Sequence, residues 1–192
     1  MKQKSTSKQI HKSRIIGILF LLAFLLYGVG RSLFESEVFI QKYIGVSLII
    51  MNSIVVLLIG NFLRQTLIKF NIFTGNIYFF SRAIEAIALF SIVLNLIPGI
   101  NVSMDYGYFI AMLFLGSGSI PMCYILYKEK IAPKWLALWG AIGYSVLAFG
   151  FLMELFGKEW SMYLLILGGL WEITFAFWLI IKGGKNKIIT TR

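Results

Sequence analysis

The chain has 192 residues, of which 59% are hydrophobic, with a mean hydropathy of +0.84 and a formal net charge of +10. Soluble domains are roughly 45–50% apolar, and the excess here falls in blocks of about 20 residues, the length that crosses ~30 Å of hydrocarbon. Six blocks leave no room for a sizeable soluble domain, and the basic residues lie in short stretches between them, which argues against a nucleic-acid-binding groove despite the charge.

Residues 1–14 are polar and basic, with Lys2, Lys4, Lys8, Lys12 and Arg14. The first apolar run, 15–29, has no clear Ala-x-Ala cleavage site and reads as an uncleaved span rather than a secretory leader. The second run covers 43–63. The third, 76–97, is entered through Arg64 and Lys69 and closed by Pro98-Gly99, a pair that cannot continue a helix. The fourth, 107–127, contains Gly116-Ser117-Gly118-Ser119 followed by Pro121, which predicts a kink. The basic loop Lys128-Glu129-Lys130 leads to Pro133, suited to the first turn of the fifth helix, 133–156. Ala137, Ala141 and Ser145 recur there at four-residue spacing, a small-residue face on which a neighbour can pack; Gly168-Gly169 in the sixth run, 160–181, offers another. Residues 183–192 form a second basic tail.

With the N-terminus inside, the inner segments hold fourteen of the eighteen Lys and Arg, and the outer ones only Arg31, Lys42 and Lys158. This alternation places both termini in the cytoplasm. Tyr43, Tyr106, Tyr108 and Trp160 then fall at outer ends, and Tyr127 and Trp135 at inner ends, where amphipathic rings prefer to sit.

The chemistry concentrates in a few intramembrane polar groups. An ionisable side chain near a span centre costs roughly 2.5–3.5 kcal/mol on insertion scales, so such groups turn inward and pair. Arg82 and Glu85, three apart, share a helix face. Counted from Asn76 at ~1.5 Å per residue, Arg82 lies about 9 Å and Glu85 about 14 Å into the membrane; Glu172, counted back from Lys182, lies about 15 Å in. Arg82, Glu85 and Glu172 are therefore expected to meet in the bundle core, with Asn52, Ser117 or Ser119 able to join them. Two carboxylates and one guanidinium leave an excess negative charge, to be met by a proton or a bound cation. A structural clamp, a ligand or ion site, and a catalytic site all fit this inventory.

Familiar intramembrane hydrolases do not. The one histidine, His11, lies in the basic tail, the one aspartate, Asp105, in an outer loop, and there is no His-Glu-x-x-His motif or phosphate-binding glycine loop. No catalytic residue, metal ligand or cofactor is assigned. Cys123 stands alone, so no intramolecular disulfide forms, and it reads as a small buried hydrophobe.

Three stretches carry a family resemblance: Arg82-Ala83-Ile84-Glu85; the loop from Tyr127 through Lys128-Glu129-Lys130 to Pro133-Lys134-Trp135-Leu136; and Glu172 followed by Trp178-Leu179 and Lys182-Gly183. In this order, across about 14–183, the chain resembles a bacterial family of small multi-spanning proteins known as domain of unknown function 4386. The resemblance implies a bacterial plasma or inner membrane protein and no assigned activity. The expected fold is an all-α bundle of six transmembrane helices (residues 15–182) between two cytoplasmic tails. Its expected partner is the lipid bilayer; a protein partner or small ligand stays open. The leading functional reading is a non-enzymatic membrane protein whose polar cluster clamps the bundle or binds a small ligand or ion. The alternatives are a small transporter using Glu85 and Glu172, and a membrane enzyme acting on lipid.

Overall fold

The structure, a computed structural model, describes residues 2–97, 99–100, 102–154, 156–157 and 161–182; side chains are described from residue 11, and not at 104, 161 or 162. It consists of six helices: α1 (Lys2–Phe34), α2 (Phe39–Leu67), α3 (Ile72–Phe90), α4 (Met104–Lys128), α5 (Lys134–Glu154) and α6 (Ser161–Ile181). Each is long and apolar enough to cross a membrane, with mean hydropathy of 1.8 to 2.3 over the most apolar stretch. The protein is thus an all-α multi-pass membrane protein. Trp160, Lys158, Pro98 and the tail from Gly183 lie outside the described residues.

Several helices run past their apolar blocks. α1 continues through the basic segment 2–14 and on to Phe34, and α2 gains about a turn at each end relative to 43–63. These extensions carry Lys12, Arg31 and Lys42, whose cationic ends lie 5.7, 5.7 and 5.2 Å from the rings of Phe62, Tyr108 and Phe34. The third span ends differently from expectation. Its α-helix stops at Phe90 and Ser91–Leu96 tightens into a 3₁₀ turn. Ser91 Oγ donates to Ala88 O (2.7 Å), a local bond that competes with α-helical geometry, and Asn95 folds the following loop back through two bonds to the backbone of Val102. α4 runs as one helix through Gly116 and Pro121, where a kink is expected, to Lys128. It stops where Ile131 N bonds Leu126 O and Lys130 takes a left-handed φ of 52°.

The helices stand in a closed ring in chain order. Each packs chiefly on its sequence neighbours, and α6 returns to α1. Lipid-like surroundings provide no hydrophobic drive between helices, so close backbone approach at small residues matters most. A Cβ on Gly118 of α4 would collide with Ser81 Oγ of α3; one on Gly140 of α5 would meet the Trp171 ring of α6 at 2.5 Å; one on Gly17 of α1 would meet Ala176 O of α6 at 2.5 Å. The Ala137–Ala141–Ser145 stripe is not the main contact face of α5. Ala137 is buried, but Ser145 is exposed and bonds its own backbone at Ala141 O, while Gly140, Gly143, Tyr144 and Leu147 face inward. Gly168 does pack closely, against Gly143. Outward, Leu25, Phe80, Ile87 and Ile166 are well exposed, which is an apolar surface suited to lipid.

Candidate functional site: a paired arginine at the base of a cavity

Arg82 sits where three elements converge. Gly60 of α2 lets α3 approach so closely that a Cβ there would lie 2.8 Å from Arg82 Cβ. On α3 itself, positions i−4 and i+3 supply Tyr78 and Glu85 on the same face. Arg82 Nε donates to the Tyr78 hydroxyl at 2.9 Å, Nη1 to Glu85 Oε2 at 3.1 Å, and Nη2 to Glu172 Oε1 of α6 at 3.2 Å. The Tyr144 hydroxyl of α5 donates to the same Glu172 oxygen at 2.7 Å. Trp171 fixes the rotation of α6: it is fully buried, and its Nε1 donates to Leu136 O of α5 at 2.6 Å. The rings of Phe20 and Tyr78 lie 5.4 and 5.3 Å from the guanidinium carbon, within cation–π range.

The structure therefore brings Arg82, Glu85 and Glu172 together, and all three are buried. The guanidinium has a partner on each of its three nitrogens. The carboxylates do not balance in the same way: with one arginine against two glutamates, the cluster carries a formal charge of −1. The second oxygen of Glu172 takes no part in the bonds to Arg82 and Tyr144.

Glu172 borders a cavity of about 220 Å³ whose lining also includes Arg82, Glu85 and Asn52. Asn52 is 2% exposed, and its Oδ1 has no hydrogen-bond partner. It shares the cavity of the cluster but not its hydrogen bonds. Leaving such a group unpaired costs about 1–3 kcal/mol. Ser117 is not at the site; it is exposed and bonds Leu113 O within α4. Ser119 is fully buried but does not line the cavity, and its Oγ lacks a partner.

Above the polar base the walls are apolar and aromatic, and they run toward the end of the bundle away from Lys12 and Lys128. There the cavity is capped. Tyr27 of α1 and Tyr108 of α4 stack at 5.2 Å with planes 11° apart. Arg31 holds them: it donates to Tyr27 Oη at 3.5 Å and to Asp105 Oδ1 of α4 at 2.9 Å, with its guanidinium 5.7 Å from the Tyr108 ring. Tyr108, placed by sequence among the interfacial aromatics, points inward instead.

The cavity reaches the surface between α1 and α6. These helices touch at Gly17 and Ala176, but at Gly28 a Cβ would meet nothing within 4 Å, and at Gly169 only the Phe24 ring at 3.8 Å. Phe24 and Gly28 line the cavity and are also exposed. Phe24 lies ten residues before the end of α1, roughly 15 Å along its axis, so the mouth opens sideways into the apolar layer.

Sequence reasoning missed Tyr78 and Tyr144. Tyr78 was legible, since i−4 from a buried arginine is the position a hydroxyl needs. Tyr144 gave no signal, because its role depends on where α5 meets α6.

The chain belongs to the family described as Domain of unknown function (DUF4386), whose family model matches residues 15–183. No curated protein and no solved structure matches it.

Proposed function

We propose that this protein is a non-enzymatic cell-membrane protein whose central cavity holds a small ligand, with Arg82, Glu85, Glu172 and Asn52 at its base. Both termini face the cytoplasm by the distribution of Lys and Arg, which places the capped end outside. The observation that carries the reading is the cavity itself, about 220 Å³ in volume and lined by Asn52 together with the whole ion cluster, with the Asn52 amide oxygen buried and unpaired behind that wall. A purely structural clamp needs no cavity and gains nothing from an unsatisfied acceptor. Arg82 itself, bonded through each of its three nitrogens to Tyr78, Glu85 and Glu172, serves as the fixed post that orients the two carboxylates. Catalysis is disfavoured because the cavity lining offers no activated nucleophile: Cys123 is fully buried behind Gly140 and outside the lining, and His11 is far off in the basic segment.

The test is thiol accessibility at Gly169, one turn from Glu172 on α6. A side chain fits there, since a Cβ makes only ordinary contact with Phe24. Gly169→Cys in a Cys123→Ser background, in nanodiscs, is expected to react with N-ethylmaleimide, while Leu170→Cys on the lipid face stays inert. Equal inertness at both positions, in folded protein, would refute an accessible cavity.

A further inference from the structure

We infer that the ligand is an amphipathic organic cation, an ammonium group on a compact apolar body, which enters from the bilayer between α1 and α6. The inference rests on the ligand-cavity reading and adds a chemical class to it.

Four observations converge. The first is charge. Arg82, Glu85 and Glu172 carry a formal −1, and no other charged side chain lines the cavity. An uncompensated charge in a low-dielectric site is costly and is met by a proton or a cation, so among charged guests a cation is favoured. The second is hydrogen bonding. The base presents the second oxygen of Glu172, which takes no part in the bonds to Arg82 and Tyr144, with the Asn52 amide in the same lining, whereas Arg82 and the Tyr144 hydroxyl donate to the carboxylates. An anionic guest would find acceptors where it needs donors. An ammonium carries only donors and fits. The third is the walls. Phe20, Phe24, Tyr27, Tyr108 and Tyr144 line the space, an aromatic wall that accepts apolar matter and tolerates a cation. The fourth is the entrance. The cavity opens laterally beside Phe24 and Gly28, while the Tyr27–Tyr108 stack and Arg31 close the end. A guest that first partitions into the membrane reaches this mouth, and a fully hydrated ion does not. A metal ion fits the donor set poorly, because among the described residues no three His, Cys, Asp or Glu side chains converge.

A free lipophilic amine and the ammonium of an aminolipid share this chemistry. The volume of about 220 Å³ suits a small amine entirely, or the headgroup of a lipid whose chains remain in the bilayer.

The experiment uses the full chain in nanodiscs, with Gly169→Cys (in Cys123→Ser) as reporter. Three probes of matched length are compared: 3-phenylpropylammonium, 3-phenylpropanol and 3-phenylpropanoate. The ammonium is expected to slow maleimide modification at concentrations at least about tenfold below the alcohol, the margin of one charge-assisted hydrogen bond. The carboxylate is expected to give no protection. Glu172→Gln leaves Arg82 and Glu85 as a neutral pair and should erase the preference for ammonium over alcohol. Asn52→Leu should weaken ammonium protection several-fold; it keeps the test decisive if Glu172→Gln fails to fold. Discs with and without phosphatidylethanolamine then separate the sources. Competition by that lipid identifies an aminolipid guest, and its absence a free amine. If the cysteine reacts but ammonium and alcohol protect equally, the cation assignment is overturned and the ligand cavity stands. If the cysteine does not react at all, both fall.

Discussion

Replacing Arg82 by methionine separates a paired cluster from an incidental one. The substitution keeps the length of the side chain and removes three charge-assisted hydrogen bonds, at 2.9, 3.1 and 3.2 Å. It leaves Glu85 and Glu172 facing one another, and the formal charge of the cluster goes from −1 to −2. Hydrogen bonds to charged groups contribute about 1.5–3 kcal/mol each. Their simple sum overshoots, because the desolvation of the guanidinium is recovered when it is removed. Breaking a buried ion pair from one side costs about 3–5 kcal/mol, which is the loss expected for Arg82→Met. The triple variant Arg82→Met/Glu85→Gln/Glu172→Gln restores neutrality and should regain all but about 1–2 kcal/mol, the range of a hydrogen bond left unmade. Reversible unfolding in mixed micelles with increasing sodium dodecyl sulfate, followed by tryptophan fluorescence, reads both values; Trp171 lies one residue from Glu172. A single variant within about 1 kcal/mol of the parent, or a triple variant no better than the single, would refute the argument that buried charge balance holds α3 to α6.

Gly118→Ala should destabilise the bundle by about 1–3 kcal/mol through overpacking against Ser81. The pair Gly118→Ala/Ser81→Gly should recover at least half of that in the same assay, because the next atom, Ile77 O, stands at 3.6 Å. The Arg31–Asp105 pair, at 2.9 Å but 30% and 62% exposed, should show a coupling of under about 1 kcal/mol in a double-mutant cycle. Its role in the cap should emerge instead as faster maleimide modification of Gly169→Cys in Asp105→Asn.

Much of the fold was legible in the sequence, because membrane spans obey a simple length and polarity rule. The polar cluster was legible too: Arg82 and Glu85 by helical spacing, and Glu172 by counting depth from the opposite end of an antiparallel helix. Elsewhere, spacing misled. Ala137, Ala141 and Ser145 have the right period for a packing face, yet Gly140 and Gly143 do the packing, because the rotation of α5 is set by Trp171 and Tyr144 across the interface. The cavity itself had no sequence signal. It arises where α1 and α6, held together at Gly17 and Ala176, move apart by Gly28, a consequence of helix geometry summed over several turns. At the end of α3 a 3₁₀ segment forms where Ser91 bonds back to Ala88 O and Asn95 bonds Val102 across a loop.

The central claim is that Asn52 faces a cavity kept open for a guest rather than bracing the bundle. The stability of Asn52→Leu without added ligand tests it most directly. Leucine continues the apolar face of α2 set by Val56 and Ile59, and the cavity has room for it. If the amide oxygen is unsatisfied, its removal should stabilise the protein by about 1–2 kcal/mol in detergent-induced unfolding. A loss of similar size would show that Asn52 is a paired strut, and would contradict the reading of the cavity as a binding site.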